Sequence, residues 1–311
     1  MQESKGVCDD IKPELAECSE EIEKFKIEIK EIESKYQSQN LFDDALLNYY
    51  ELLQTIAAKL HGQSQTQIDA LICTLNCNIA LCQSNLCENE KAFKSLDVID
   101  ESLARENKCY HFVYAAIILN SADKFMYGMA KQHIDKALKI DPQYHRAFIL
   151  NQHLNALMEC MDCSSNIGAL DAHFFPIVEE KKDLQLIADY FMNRGLIFLS
   201  YNNPNLAIPN FEQAIKYGYD KTIAKFNLLA AEYAQAIESL PKDVRVLFPS
   251  IDCCKMNSVI SGLKEIILDS NIKTQPYLSV KERAVTLYAS ACALTRAHHA
   301  RNFRVRDGRR F

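Results

Sequence analysis

The sequence predicts an all-α protein: a right-handed superhelix of about four to five stacked helical hairpins, followed by additional C-terminal helices. Three observations carry this expectation. Apolar residues recur at three- and four-residue spacing along most of the chain, the period of a helix face. Eight Gly and eight Pro among 311 residues leave long helices few breaks. Small residues also recur at near-constant intervals. Ala45, Ala92, Ala130, Ala169 and Ala207 are separated by 47, 38, 39 and 38 positions. A helix pair with its two turns takes about 34 to 40 residues, so the interval fits stacked hairpins.

The first copy is KEIESKYQSQNLFDDALLNYYELL, with Ile29, Ile32 and Tyr36 on one helix and Ala45, Tyr49 and Leu52 on the next. Its apolar stripe extends backwards through Phe25, Ile22, Cys18 and Leu15, so the first helix should start near Pro13, a residue suited to a first turn. The surplus turns read as a capping extension on the stack or as a seam for a partner helix. AKQHIDKALKIDP supplies a clear second half: Ala130 and Ala137 face the partner helix, and Pro142 closes the repeat. The clearest copy is FMNRGLIFLSYNNPNLAIPNFEQAIKYGYD. Here Gly195 and Ala207 let two helices cross closely, Phe191, Phe198 and Phe211 fill the space around them, and NNPN makes the turn. Around Ala169 the pattern degenerates, with His173 and Pro176 where aromatic and small residues are expected. TIAKFNLLAAEYAQAIESL reads as one more helix, and residues 241–311 as two or three without a period.

Residues 26–142 carry a more specific pattern. A first hairpin with a longer second helix is followed by NCNIALC and then KCYHFVY. This order resembles the three-repeat tetratricopeptide (TPR) domains of the immunophilins and of the UNC-45-type myosin chaperones. The resemblance implies a concave groove that binds the C-terminal Glu-Glu-Val-Asp tail of a heat-shock chaperone, its carboxylates clamped by Lys, Asn, Asn, Lys and Arg. Such a clamp works because cations supply charge-assisted hydrogen bonds while Asn amides donate without adding repulsion. Matched onto this chain, Lys30 takes the first Lys position and Ser34 stands where the first Asn is expected. Glu33 stands where the family has Gly. Asn78 takes the second Asn position. Lys108 takes the second Lys position when its helix carries an extra turn before Ala130, and the Arg position is then Phe112. The peptide-binding set is therefore Lys30, Ser34, Asn78 and Lys108.

The domain reading follows: an acidic helical extension at 1–24, a three-repeat domain at 25–142, degenerate and fourth hairpins with a capping helix at 143–240, a helical segment at 241–295 and a basic tail at 296–311. Residues 1–34 hold eleven acids against five bases, and the last sixteen residues hold six Arg against Asp307. The tail reads as disordered or partner-bound, as an arm for an acidic protein, or as a nucleic-acid contact. The formal charge of −6 argues against nucleic acid as the main partner. No apolar stretch is long enough for a membrane span, and MQESKGVCDD lacks a signal-peptide pattern, so the expected location is the cytoplasm, with a nuclear site also compatible.

Catalytic and metal motifs are absent from the sequence. There is no phosphate-binding Gly loop, GxSxG elbow or HExxH pair. Cys160 and Cys163 have half the spacing of a zinc site, and Cys253–Cys254 are the other candidate pair, but adjacent Cys rarely ligate one ion. His298 and His299 find no helical-spaced ligand. Cys73, Cys77, Cys82, Cys87, Cys109 and Cys292 fall in apolar helical patterns and read as reduced, buried thiols. No cofactor and no enzyme activity are expected. The function expected is that of a co-chaperone-like adaptor. The alternatives are a structural subunit using apolar surfaces on 222–295, and a helical enzyme or nucleic-acid protein using the Arg tail.

Overall fold

Helices form wherever the three-to-four spacing runs uninterrupted, and the described residues contain no strand. The computed structural model describes residues 11–35, 41–59, 65–121, 123–180, 183–238, 253–269 and 277–307, with side chains described outside 11–19, 238, 253–254, 277–279 and 297–307. The helices are α1 (Ile11–Lys35), α2 (Phe42–Lys59), α3 (Gln65–Asn85), α4 (Asn89–Asp97), α5 (Glu101–Arg105), α6 (Lys108–Ser121) and α7 (Tyr127–Ile140). They continue as α8 (His145–Leu157), α9 (Cys163–Glu180), α10 (Leu184–Ser200), α11 (Pro204–Lys216), α12 (Lys221–Glu238), α13 (Cys253–Leu268) and α14 (Tyr277–Asp307). The chain divides into two units, residues 1–147 and 148–311, the division falling inside α8.

In the first unit α1 packs on α2, α3 on α4 and α6 on α7, while α3 also lies against α1, α2 and α6. Ile22, Phe25 and Ile29 of α1 are buried with Tyr49, Leu52 and Ile56 of α2, as the apolar stripe predicts. Leu15 and Cys18 lie outside the described side chains, and Tyr36 outside the described residues. A second cluster joins Cys73, Cys77 and Ala80 of α3 to Ala92 and Leu96 of α4 and to Val113 and Ile117 of α6. Asn107 joins these elements: its Oδ1 accepts from the backbone N–H of Cys109 and Tyr110, capping α6, and its Nδ2 donates to Cys73 Sγ at 3.2 Å.

In the second unit α9 packs on α10, α10 on α11, α11 on α12, α12 on α13 and α13 on α14. Arg194 of α10 makes paired bonds to Asp171 of α9 at 2.8 and 3.0 Å and a third to Asn210 of α11 at 3.1 Å. Tyr190 donates to the same Asp171 at 2.8 Å. Two described helices, α13 and α14, follow residue 241. The second runs unbroken to Asp307, so the backbone through residues 296–307 is helical where a separate tail is expected.

Four of the five repeat-marking alanines, Ala45, Ala92, Ala130 and Ala207, have no exposed surface. Ala169 is half-buried because α9 turns Asn166, Ile167, Leu170 and Phe174 inward instead. Here the alanine spacing marks a helix but not its buried face. Cys87 also departs from its expected burial. Helix α3 ends at Asn85, and Cys87 adopts a left-handed conformation (φ 63°), exposed in the turn. That turn closes with Cys87 N–H donating to Ser84 O and Glu88 N–H to Gln83 O. The same closure, with a left-handed residue just past the helix, recurs at Glu159, Asn202 and Gly218.

Gly195 shows why a small residue is needed at a helix crossing. A Cβ built there would lie 2.6 Å from Cε1 and 2.8 Å from Cδ1 of the fully buried Phe211 ring. Gly128, also helical, has nothing within 4 Å of its position. Gly195→Ala should therefore lower stability by about 1–3 kcal/mol through overpacking. Gly128→Ala should raise it by roughly 0.5–1 kcal/mol through helix propensity. Chemical denaturation of the two variants reads both signs.

A pH dependence is built into the α6/α7 hairpin. His111 Nε2 lies 3.1 Å from the Arg105 carbonyl and so carries the proton; its Nδ1 then accepts from His133 Nδ1 at 3.1 Å. His133 stacks on Tyr114 at 4.0 Å. Burial first, then His111 and Lys136, push its pKa down to about 4. A histidine whose folded pKa is depressed stabilises the fold above its unfolded value near 6.5, and that stability is lost as pH falls towards the folded value. Followed by thermal unfolding between pH 7 and pH 4, the wild type should lose about 1–3 kcal/mol more stability than His133→Phe, which keeps the stack; His153, likewise pushed down by burial to about 4, titrates in both.

Candidate functional site

A groove of about 390 Å³ runs between α1 and α3. Its two walls are the first helices of consecutive hairpins. Ile22, Ile27 and Ile29 of α1 and Ala70 and Leu71 of α3 give the groove its aliphatic surface. Ile27 is 55% exposed, an aliphatic side chain left open to water inside a concave surface. Polar groups flank this surface along both helices: Glu23, Lys26 and Gln67 towards their starts, and Lys30, Glu33 and Thr74 further along.

The four expected binding residues do not form one cluster. Lys30 is exposed on the groove wall and makes no hydrogen bond or ion pair among the described residues. Ser34 is exposed one position beyond Glu33. Asn78 continues the Thr74 side of α3 and is buried, 8% exposed. Its Nδ2 donates to Glu33 Oε1 at 3.0 Å, so the amide expected to hold a ligand carboxylate holds the chain's own. Lys108 is the first residue of α6, and Ala130 lies in the next α-helix, α7. The Lys108 Nζ donates to Asp141 Oδ2 at 2.5 Å and sits 5.1 Å over the Tyr144 ring. This pair ties the start of α6 to the end of α7. Lys108 and the backbone N–H of Gln143 hold the Asp141 carboxyl below its ordinary range. Phe112, at the Arg position, packs edge-on against Tyr144 at 5.4 Å.

Glu33 is the half-buried charge of the groove, whereas Glu23, Lys26 and Lys30 are exposed. Asn78 gives it a dipole and not a counter-charge, and Glu33 makes no ion pair among the described residues. Beside it, the fully buried Tyr49 hydroxyl of α2 makes no hydrogen bond among the described residues. Burial, then the charge of Glu33, raise its pKa and keep it protonated. Sequence reasoning noticed Glu33 only as a departure from Gly. The available signal was its type: a carboxylate at a small-residue position on the inner wall must find a donor, and Asn78 is the amide in register.

Elsewhere, Cys160 is exposed and Cys163 half-buried, and burial with the charge of Asp162 raises the Cys163 thiol. Among the described residues no group of three or more His, Cys, Asp or Glu is placed to hold a metal ion. None of the described helices is long and apolar enough to cross a membrane. Cys253, Cys254, His298, His299 and the tail arginines beyond Arg296 lie outside the described side chains.

The Asn78–Glu33 bond gives a direct test. Asn78→Asp faces two carboxylates across a half-buried contact, which cannot both ionise. Stability at pH 7 should fall by about 1–3 kcal/mol relative to the wild type. The gap should close towards pH 5 as the pair takes up one proton at a raised pKa. Paired thermal melts of variant and wild type at each pH isolate this from the histidine effect.

No family model matches the chain, and a comparison with curated proteins finds no similar sequence.

Proposed function

We propose that the chain is a protein-binding scaffold of the tetratricopeptide type, a co-chaperone-like adaptor whose first unit takes an extended peptide between α1 and α3. The observation that carries this reading is the groove itself. Two hairpin-leading helices stand apart far enough to leave about 390 Å³ lined by exposed Ile27 and by Ala70, with polar groups flanking them. Concave, mostly apolar sites with a few placed polar groups are where peptides and small ligands bind. The fold adds support, because consecutive hairpins pack through their first helices as TPR units do. The structural-subunit reading has less behind it. In residues 222–295 the large apolar side chains that stand exposed among those described are Leu268 and Val285, two positions and not a patch.

An acidic heat-shock tail is one candidate ligand, with Lys30 open to it. Asn78 and Lys108 would first have to exchange Glu33 and Asp141 for the ligand's carboxylates.

Ala70 is exposed on the groove floor, so Ala70→Trp fills the groove without touching the core. Peptides selected by phage display on the full chain should bind with Kd tighter than about 1 mM. Ala70→Trp should weaken them at least tenfold while leaving the melting temperature unchanged. Selected peptides that bind the Trp variant equally well would refute the groove as the site.

A further inference from the structure

Resting on the scaffold reading, we infer that the α1/α3 groove selects a peptide pairing an aliphatic side chain with a basic one about three residues away. The geometry that points there is the Ile27–Glu33 arrangement.

Each group expected to attract a ligand carboxylate at depth already holds one from the chain: Asn78 holds Glu33 and Lys108 holds Asp141. Past the exposed Lys30, an incoming carboxylate therefore meets the half-buried Glu33, and two carboxylates within bonding distance repel. A ligand ammonium or guanidinium meets the opposite situation. Glu33 is half-buried, fixed by Asn78 from one side, and its charge is not neutralised by that neutral amide. A carboxylate so oriented forms charge-assisted bonds of the stronger class. Lys26, the other cation in the groove wall, is taken by Glu23 at 2.6 Å. Lys30 is exposed and long enough to swing towards water, where its charge is screened.

The spacing follows from the helix. Ile27 and Glu33 are six residues apart on α1, about 9 Å along its axis at 1.5 Å per residue. An extended peptide rises about 3.3 Å per residue, so three residues cover that span. Exposed Ile27 with Ala70 and Leu71 offers a surface to an aliphatic anchor, while Glu33 takes the base.

Fluorescence anisotropy on the full chain tests this with three labelled dodecapeptides, repeats of Leu-Ser-Ser-Arg, Leu-Ser-Ser-Glu and Ser-Ser-Ser-Arg. The Leu/Arg peptide should bind about tenfold more tightly than either of the others. The chain's charge of −6 attracts any basic peptide, so the decisive readings are substitutions of equal charge. Glu33→Gln should abolish the preference for Arg over Glu. Glu28→Gln, on the α2 side of the same helix, should leave it intact. Lys30→Gln should tighten the Leu/Arg peptide, whereas a carboxylate-gripping groove would lose affinity. Tighter binding of the Glu peptide, equal binding of both, or a preference that survives Glu33→Gln would overturn the inference while leaving the scaffold reading standing. If none of the three binds and no displayed peptide is selected either, the scaffold reading itself fails.

Discussion

The enclosure of α3 is the constraint on which the first unit depends. Helices α1, α2, α4, α5 and α6 all pack against it, and it buries residues on every face, including Asn76, Asn78, Gln83 and Ser84. Buried polar side chains there must be bonded within the protein: Asn76 donates to the Ile72 carbonyl of its own helix, and the other three find partners on neighbours. The partners are distributed with little repetition. Asn78 bonds to α1 through Glu33, and Gln83 donates to the Tyr50 hydroxyl of α2 at 3.0 Å. Gln83 also accepts from Ser95 of α4 at 2.8 Å. Ser84 donates to Asn89 of α4 and accepts from Asn120 of α6. Apolar contact alone would let hairpins slide along one another. These directional bonds set the register, because a one-residue slip would orphan several buried groups at about 1–3 kcal/mol each.

What was legible in the sequence was what short-range periodicity and size carry. The α1 stripe, the Gly195 crossing and the alanines at 45, 92, 130 and 207 each answer to a steric demand that one residue type meets, and their burial follows. Turn-forming NNPN gave its helix break because Asn202 tolerates the left-handed conformation and Pro204 starts α11. Cys87 and Ala169 misled for one physical reason. Small side chains fit both a buried face and a turn or half-exposed edge, so their identity does not report which one they occupy.

The helices that carry the candidate residues were legible in the sequence, and the residues' pairings were not. Lys30, Asn78 and Lys108 fall on the helices expected of them, yet what Asn78 and Lys108 touch depends on residues 45 and 33 positions away in the chain. No local pattern encodes such partners. A clamp residue and a structural lock use the same side-chain type, and only the tertiary neighbour separates them. Lys108 with Asp141 and Tyr144 is a lock by this criterion, since all three groups join the ends of one hairpin.

Glu33 is different, because its hydrogen-bond partner is the neutral amide of Asn78 at 3.0 Å. Beside it, the Tyr49 hydroxyl is buried with no hydrogen bond among the described residues, a cost of about 1–3 kcal/mol. Phe at 49 would remove that cost while keeping the hairpin crossing. Chains depart from local consistency mainly where a site requires it. The Lys108–Asp141 pair, by contrast, carries its own counter-charge and needs nothing from outside. Of the two carboxylates that meet the expected clamp residues, Glu33 alone keeps a charge that a bound cation would neutralise. In the scaffold proposed above, recognition therefore falls to the α1/α3 groove and support to the α6/α7 end.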